Sequence, residues 1–105
     1  MITHTMLVSF DDPISDIDLD QFLGDIEISM RDTGAVRSFS AHRHVPVAGE
    51  DAIPAFVATA VLHFGVDDRD GLAALFAAPG AVEVIHTWKT SHPYRVAWVN
   101  YEAGK

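Results

Sequence analysis

The stretch MITHTMLVSFDDPISDIDLDQFLGDIEISMRDTG, residues 1–34, decides the fold. Its first ten residues alternate: Ile2, His4, Met6, Val8 and Phe10 share one side, and Thr3, Thr5, Leu7 and Ser9 take the other. A period of two is the pattern of a β-strand with two unlike faces. Asp11-Asp12-Pro13 ends it, because proline has no N–H to offer a ladder and acids favour turns. Ser15 then precedes Asp18 by three residues, a spacing that lets a hydroxyl cap a helix N-terminus. From there Leu19, Phe22, Leu23, Ile26 and Met30 recur at helical spacing, while the acids fall mostly elsewhere. Acidic residues in the first turn suit the helix dipole, and Gly34 suits the stop. A strand therefore leads directly into an amphipathic helix.

Outward from this unit the pattern continues. Residues 35–45 alternate, with Val36, Ser38, Ser40, His42 and His44 opposed to Arg37, Phe39, Ala41 and Arg43. Residues 46–54 carry Pro46, Gly49, Asp51 and Pro54 and read as a surface loop. Residues 55–64, rich in Val, Thr and Phe, predict a third strand. Asp67, Asp68 and Asp70 open a second helix carrying Leu72, Leu75 and Phe76. Pro79-Gly80 interrupts it, and Val82, Ile85 and Trp88 predict a further helical segment. Residues 94–101 form the last strand, with Tyr94, Val96, Trp98 and Asn100 on one side.

The order β-α-β-β-α-β predicts a single α+β domain over residues 1–105, of ferredoxin-like arrangement. Both helices then lie on one face of a four-stranded antiparallel sheet. The expected helix-facing residues are the even positions of the first strand, Val36, Ser38 and Ser40 of the second, and Phe56, Ala58, Ala60, Leu62 and Phe64 of the third. Val96 and Trp98 complete the set. The opposite face carries Leu7, Phe39, Val57, Val61, Ala97, Val99 and Tyr101 among Thr5, Arg37, Thr59 and Arg95. It is too apolar to stay wet across a whole sheet. A homodimer that pairs this face with its own copy is the expectation.

Composition narrows the function. Hydrophobic residues are 49% and charged residues 21%, an ordinary globular balance. Acids outnumber bases 15 to 7, for a net charge of -8. Eight acids lie between Asp11 and Asp32, where Arg31 is the only base. Phosphate neutralisation would work against that field, so no nucleic-acid partner is expected. The absence of cysteine excludes disulfides, thiolate metal sites and cysteine nucleophiles. No apolar run approaches the ~20 residues of a membrane span. The opening residues lack a basic lead and a cleavage site, so a cytoplasmic location is expected. Neither a G-x-S-x-G elbow nor a glycine-rich phosphate loop is present. The carboxylates of the first helix read as a solvated face rather than an acid/base pair.

The small residues Ser38, Ser40, Ala58 and Ala60 suggest a hollow under the helices, walled by Met6, Phe22, Phe56, Trp88 and Trp98. Such a hollow suits a flat aromatic ligand without any cofactor. The alternative is that small side chains simply allow close packing. His4 stands out, because an imidazole in an apolar stripe must be hydrogen-bonded or serve as an acid or base. A satisfied histidine near a terminus is the competing reading. His86, one residue after Ile85, is a second proton-transfer candidate. His42 and His44 share a strand face, and with His63 or His4 they could chelate a metal. No established ligand spacing supports this, and no metal is expected.

The element order, the opening I-T-H-T-M-L-V and the closing W-V-N-Y-E resemble the dimeric α+β barrel superfamily. The ending H-T-W-K-T-S-H-P-Y-R-V-A-W-V-N-Y-E is most similar to the RedY-like, HapK-type proteins of prodigiosin-type pigment and antibiotic biosynthesis. The resemblance implies a homodimer with one pocket per subunit between helices and sheet, and handling of a pyrrolic intermediate. In related cyclases a histidine early on the first strand acts with another in an H-P-A-H segment. His4 matches the first. The second segment reads Ala78-Pro79-Gly80-Ala81 here, so that partner is missing unless His86 substitutes. The resemblance leaves open a cofactor-free cyclase or tautomerase, a non-catalytic chaperone or scaffold for a labile intermediate, and a cofactor-free monooxygenase.

Overall fold

The first strand, β1 (Ile2–Phe10), takes a central place in the sheet, and each of its two edges carries a neighbour. The computed structural model describes residues 1–104. After β1 come α1 (Asp16–Arg31), β2 (Ser38–Arg43), β3 (Ala60–Val66), α2 (Arg69–Phe76), α3 (Pro79–Ser91) and β4 (Tyr94–Glu102). A single 3-10 turn, Glu50–Ala52, interrupts the β2–β3 connection. The four strands are antiparallel in the order β2-β3-β1-β4. This is the α+β, ferredoxin-like arrangement, with the helices on one face of the sheet. Among the described residues no single helix is long and apolar enough to cross a membrane.

Side chains of directly opposed residues in an antiparallel ladder share a face. Met6 sits between Leu62 of β3 and Trp98 of β4, and Val8 between Ala60 and Val96, so these residues form the helix-facing layer. Helix α1 closes over it. Ser15 caps the helix by accepting from the Asp18 amide at 3.1 Å, and Leu19, Phe22, Ile26 and Met30 are buried. At the core Phe22 meets Phe10, Tyr94 and Trp88 edge to face, with ring centroids 5.2–5.5 Å apart. Helix α3 starts on Pro79, where the missing N–H costs nothing. The Trp88 indole donates to Asp25 at 2.9 Å and ties α3 to α1.

Two expectations are corrected here. The alternation in β2 is real, but its phase is opposite to the one inferred. Phe39 opposes Phe64 and Ala41 opposes Leu62, so these face the helices. Ser38 opposes Gly65 and Ser40 opposes His63, on the outer face. A Cβ on Gly65 would lie 2.2 Å from the Ser38 Oγ, which places the two residues on one side and explains the glycine. A one-residue shift of phase moves every side chain to the other face, and a short strand with apolar residues on both sides does not fix it alone. The third strand begins at Ala60 rather than Ala55. Phe56 therefore lies in irregular chain, 66% exposed, with the Arg95 guanidinium 5.6 Å from its ring centroid.

Candidate small-molecule site

A cavity of about 180 Å³ opens between the β1–β4 half of the sheet and the helices. The sheet supplies His4, Met6, Tyr94, Val96 and Trp98. Helix α1 adds Ile26 and Met30, α2 adds Leu75 and Phe76, and α3 adds Val82, Ile85 and Lys89. The buried Ala78 and Ala81 flank the α2–α3 break, where short side chains leave room that larger ones would fill. The mouth is apolar: Phe76, Val82 and Trp98 line the cavity yet are at least half exposed. An apolar wall with few polar groups is the usual make-up of a small-molecule site.

His4 is the first of those polar groups. Its position on β1 points it into the helix-facing layer, where it is buried. Opposite it on β4 stands Asn100, whose Oδ1 lies 2.6 Å from the imidazole Nδ1. An amide oxygen only accepts, so Nδ1 carries the proton and Nε2 keeps the lone pair. Among the described residues Nε2 has no hydrogen-bond partner, and it is not fully enclosed. Burial pushes the His4 pKa below its ordinary value, partly offset by the Asn100 hydrogen bond. The ring packs edge-on to Phe76 at 5.2 Å and between Phe64 and Trp98 at 6.0 Å. The result is a neutral imidazole held in one tautomer beside a hollow.

Of the residues singled out from sequence, His4, Met6 and Trp98 meet at this cavity. Phe22 belongs to the aromatic core next to it, and Trp88 to the α1–α3 clamp. Ser38 and Ser40 lie across the sheet, and Phe56 lies in the loop before β3, so these three do not reach it. His86 is exposed on α3, one residue past Ile85. His44 falls beyond the end of β2 and holds Glu50 through Nε2 at 2.7 Å, apart from His42. Among the described residues no cluster of three His, Asp or Glu side chains could hold a metal. Sequence reasoning passed over Asn100, Tyr94 and Lys89. Asn100 and Tyr94 were visible as polar groups on the inward stripe of the last strand; Lys89 had no comparable signal.

No protein-family model matches the chain, and no curated protein does. Solved structures do. A dimeric ferredoxin-like protein from Thermobifida fusca superposes with a TM-score of 0.71 at 12% identity, over 95% of this chain and 88% of that one. HapK from Hahella chejuensis gives 0.70 at 16% identity, over 100% and 95%. A hydroxynitrile lyase from Passiflora edulis gives 0.70 at 14% identity, over 95% and 90%. At such identities the likeness is one of backbone architecture, and it spans both partners nearly end to end. The chain thus has the ferredoxin-like fold.

Proposed function

We propose that the cavity binds a small, largely apolar aromatic molecule and that His4 moves a proton on it without a cofactor. One observation carries this reading: a buried imidazole, fixed through Nδ1 by Asn100, keeps an unpartnered Nε2 at an apolar hollow. The lowered pKa leaves Nε2 unprotonated at neutral pH, ready to accept a proton from a carbon next to a carbonyl group. Returning that proton to another atom of the same ligand completes a tautomerisation, or permits a cyclisation or condensation. The proton is conserved and no oxidant is needed. The walls supply orientation. Pyrrolic intermediates of prodigiosin-type biosynthesis, in the cytoplasm, are the context that the RedY-like resemblance supports.

The same reading includes a homodimer. On the outer face Leu7, Val99 and Tyr101 are between 42% and 58% exposed, and a second copy would cover them. The cavity lies on the other side of the sheet, so each subunit would keep its own site.

Titration with pyrrolic, indolic and polyketide-like aromatics, followed by tryptophan fluorescence, tests the site because Trp98 lines it. Saturable quenching at micromolar ligand is the expected result. With a substrate so found, His4→Ala should lower turnover by ~10²–10⁴-fold with the fold intact. Turnover unchanged in that variant removes His4 from the chemistry, and silence across the panel removes the site.

A further inference from the structure

His63 is the middle residue of β3, an inner strand, and it belongs to the outer face of the sheet, away from the cavity. It stands between Thr5 of β1 and Ser40 of β2. The Thr5 hydroxyl lies 2.9 Å from the imidazole Nδ1, and the Tyr101 hydroxyl lies 3.5 Å from that of Thr5. Among the described residues Nε2 has no hydrogen-bond partner. A half-buried imidazole thus sits mid-face, beside the exposed apolar strip of Leu7, Val99 and Tyr101.

The chain carries 15 acids and a net charge of -8, yet none of the outward strand positions is Asp or Glu. The charged groups around this face lie at its margins, each held by an acid. Arg95 lies 3.8 Å from Asp11, Arg37 2.9 Å from Asp67, and His44 2.7 Å from Glu50. Arg43 is taken up by Asp16 and Asp20 of α1. The nearest base to His63 is a second imidazole, His42, which opposes Val61 and so stands diagonally across from it, roughly 7–8 Å away. Two chains of net charge -8 repel each other, and this acid-free face is where they meet with least repulsion. In a two-fold pair each copy offers the same patch, so the covering surface brings no carboxylate to His63 either.

Resting on the homodimer reading given above, we propose that the dimer is gated by pH through His63: it holds at neutral pH and comes apart as His63 takes up a proton. Imidazole is the side chain whose charge changes between pH 5 and 8. In the separate chain water can reach a protonated ring. In the dimer that ring would lie against an apolar surface, with another imidazole diagonal to it and no counter-charge, and such burial disfavours the cation. The separate chain therefore binds more protons, and acid favours separation. The overall charge works in the opposite direction: acidification reduces the repulsion between two acidic chains and by itself would tighten the dimer. The sign of the pH dependence distinguishes the two effects.

Sedimentation equilibrium of the full chain at pH 7.5 and 5.5, at one ionic strength, tests this, with circular dichroism to verify folding at both. The dimer dissociation constant should rise ~100-fold, for one proton refused per subunit across an interval centred on the ordinary imidazole pKa of ~6.5. His63→Gln, which can still hydrogen-bond Thr5 but takes up no proton, should remove most of that rise. His63→Phe, which keeps a planar ring, should do the same and serves where Gln weakens the dimer at pH 7.5. A dissociation constant that is unchanged or lower at pH 5.5 overturns the inference and leaves the homodimer standing. An equal rise in the native protein and the variants assigns the proton to another group and overturns it too. A monomer at both pH values takes the homodimer reading down as well.

Discussion

At His4 two effects compete: burial disfavours the imidazolium, and the Asn100 hydrogen bond favours it. Burial wins, so the folded-state pKa lies below the 6.5 of an unfolded chain. Below pH 6.5 the unfolded chain takes up a proton at this position that the native protein refuses, and stability falls as pH drops towards the native pKa. Above pH 6.5 the two states hold the same charge and the effect vanishes. Thermal unfolding followed from pH 7.5 to 5 should therefore show a steeper loss of Tm for the native protein than for His4→Gln. Parallel curves would mean that the histidine is solvated. His4 was legible in the sequence because it interrupts an apolar stripe. Its tautomer was not, because that depends on Asn100, 96 residues away.

Elements whose signals are local were readable, and α1 shows why. The Ser15 cap, the acidic first turn and the apolar spacing act within a few residues of each other, and the helix runs Asp16–Arg31 as they dictate. Ser15→Ala should cost ~1 kcal/mol, measured by denaturant unfolding with an unchanged m-value. Loss of nothing would mean that water replaces the hydroxyl. The break between α2 and α3 was similarly legible from Pro79. Strand β2 was not, since its six residues alternate without one clearly apolar side. The Phe39–Phe64 contact at 5.0 Å chose its phase, and that choice belongs to the sheet. Placing the hollow under Ser38 and Ser40 followed from the wrong phase. The true hollow sits over β1 and β4, where Ala78 and Ala81 fail to fill the space.

For the molecule as a whole, the unsettled surface is the outer sheet face. Burying it against a copy would gain roughly 25 cal/mol for each Å² of apolar area removed from water. Light scattering should give twice the mass of the 105-residue chain at micromolar concentration. Val99→Asp, at the centre of the exposed strip, should shift the protein to monomer while leaving the cavity side untouched. A monomeric native protein would require another account of that apolar strip.

The order of elements, the Ser15 cap, the break at Pro79 and the place of His4 in an apolar stripe follow from the sequence by itself. Each depends on interactions among residues close along the chain or on the chemistry of one side chain. The tertiary structure decided the rest: the phase of β2, the place of Phe56 outside β3, and the meeting of His4 with Asn100. It also placed Tyr94 and Lys89 at one cavity. These depend on which strands become neighbours and on how far the helices stand from the sheet. Such distances are set by packing across the whole domain, and no window of sequence contains them.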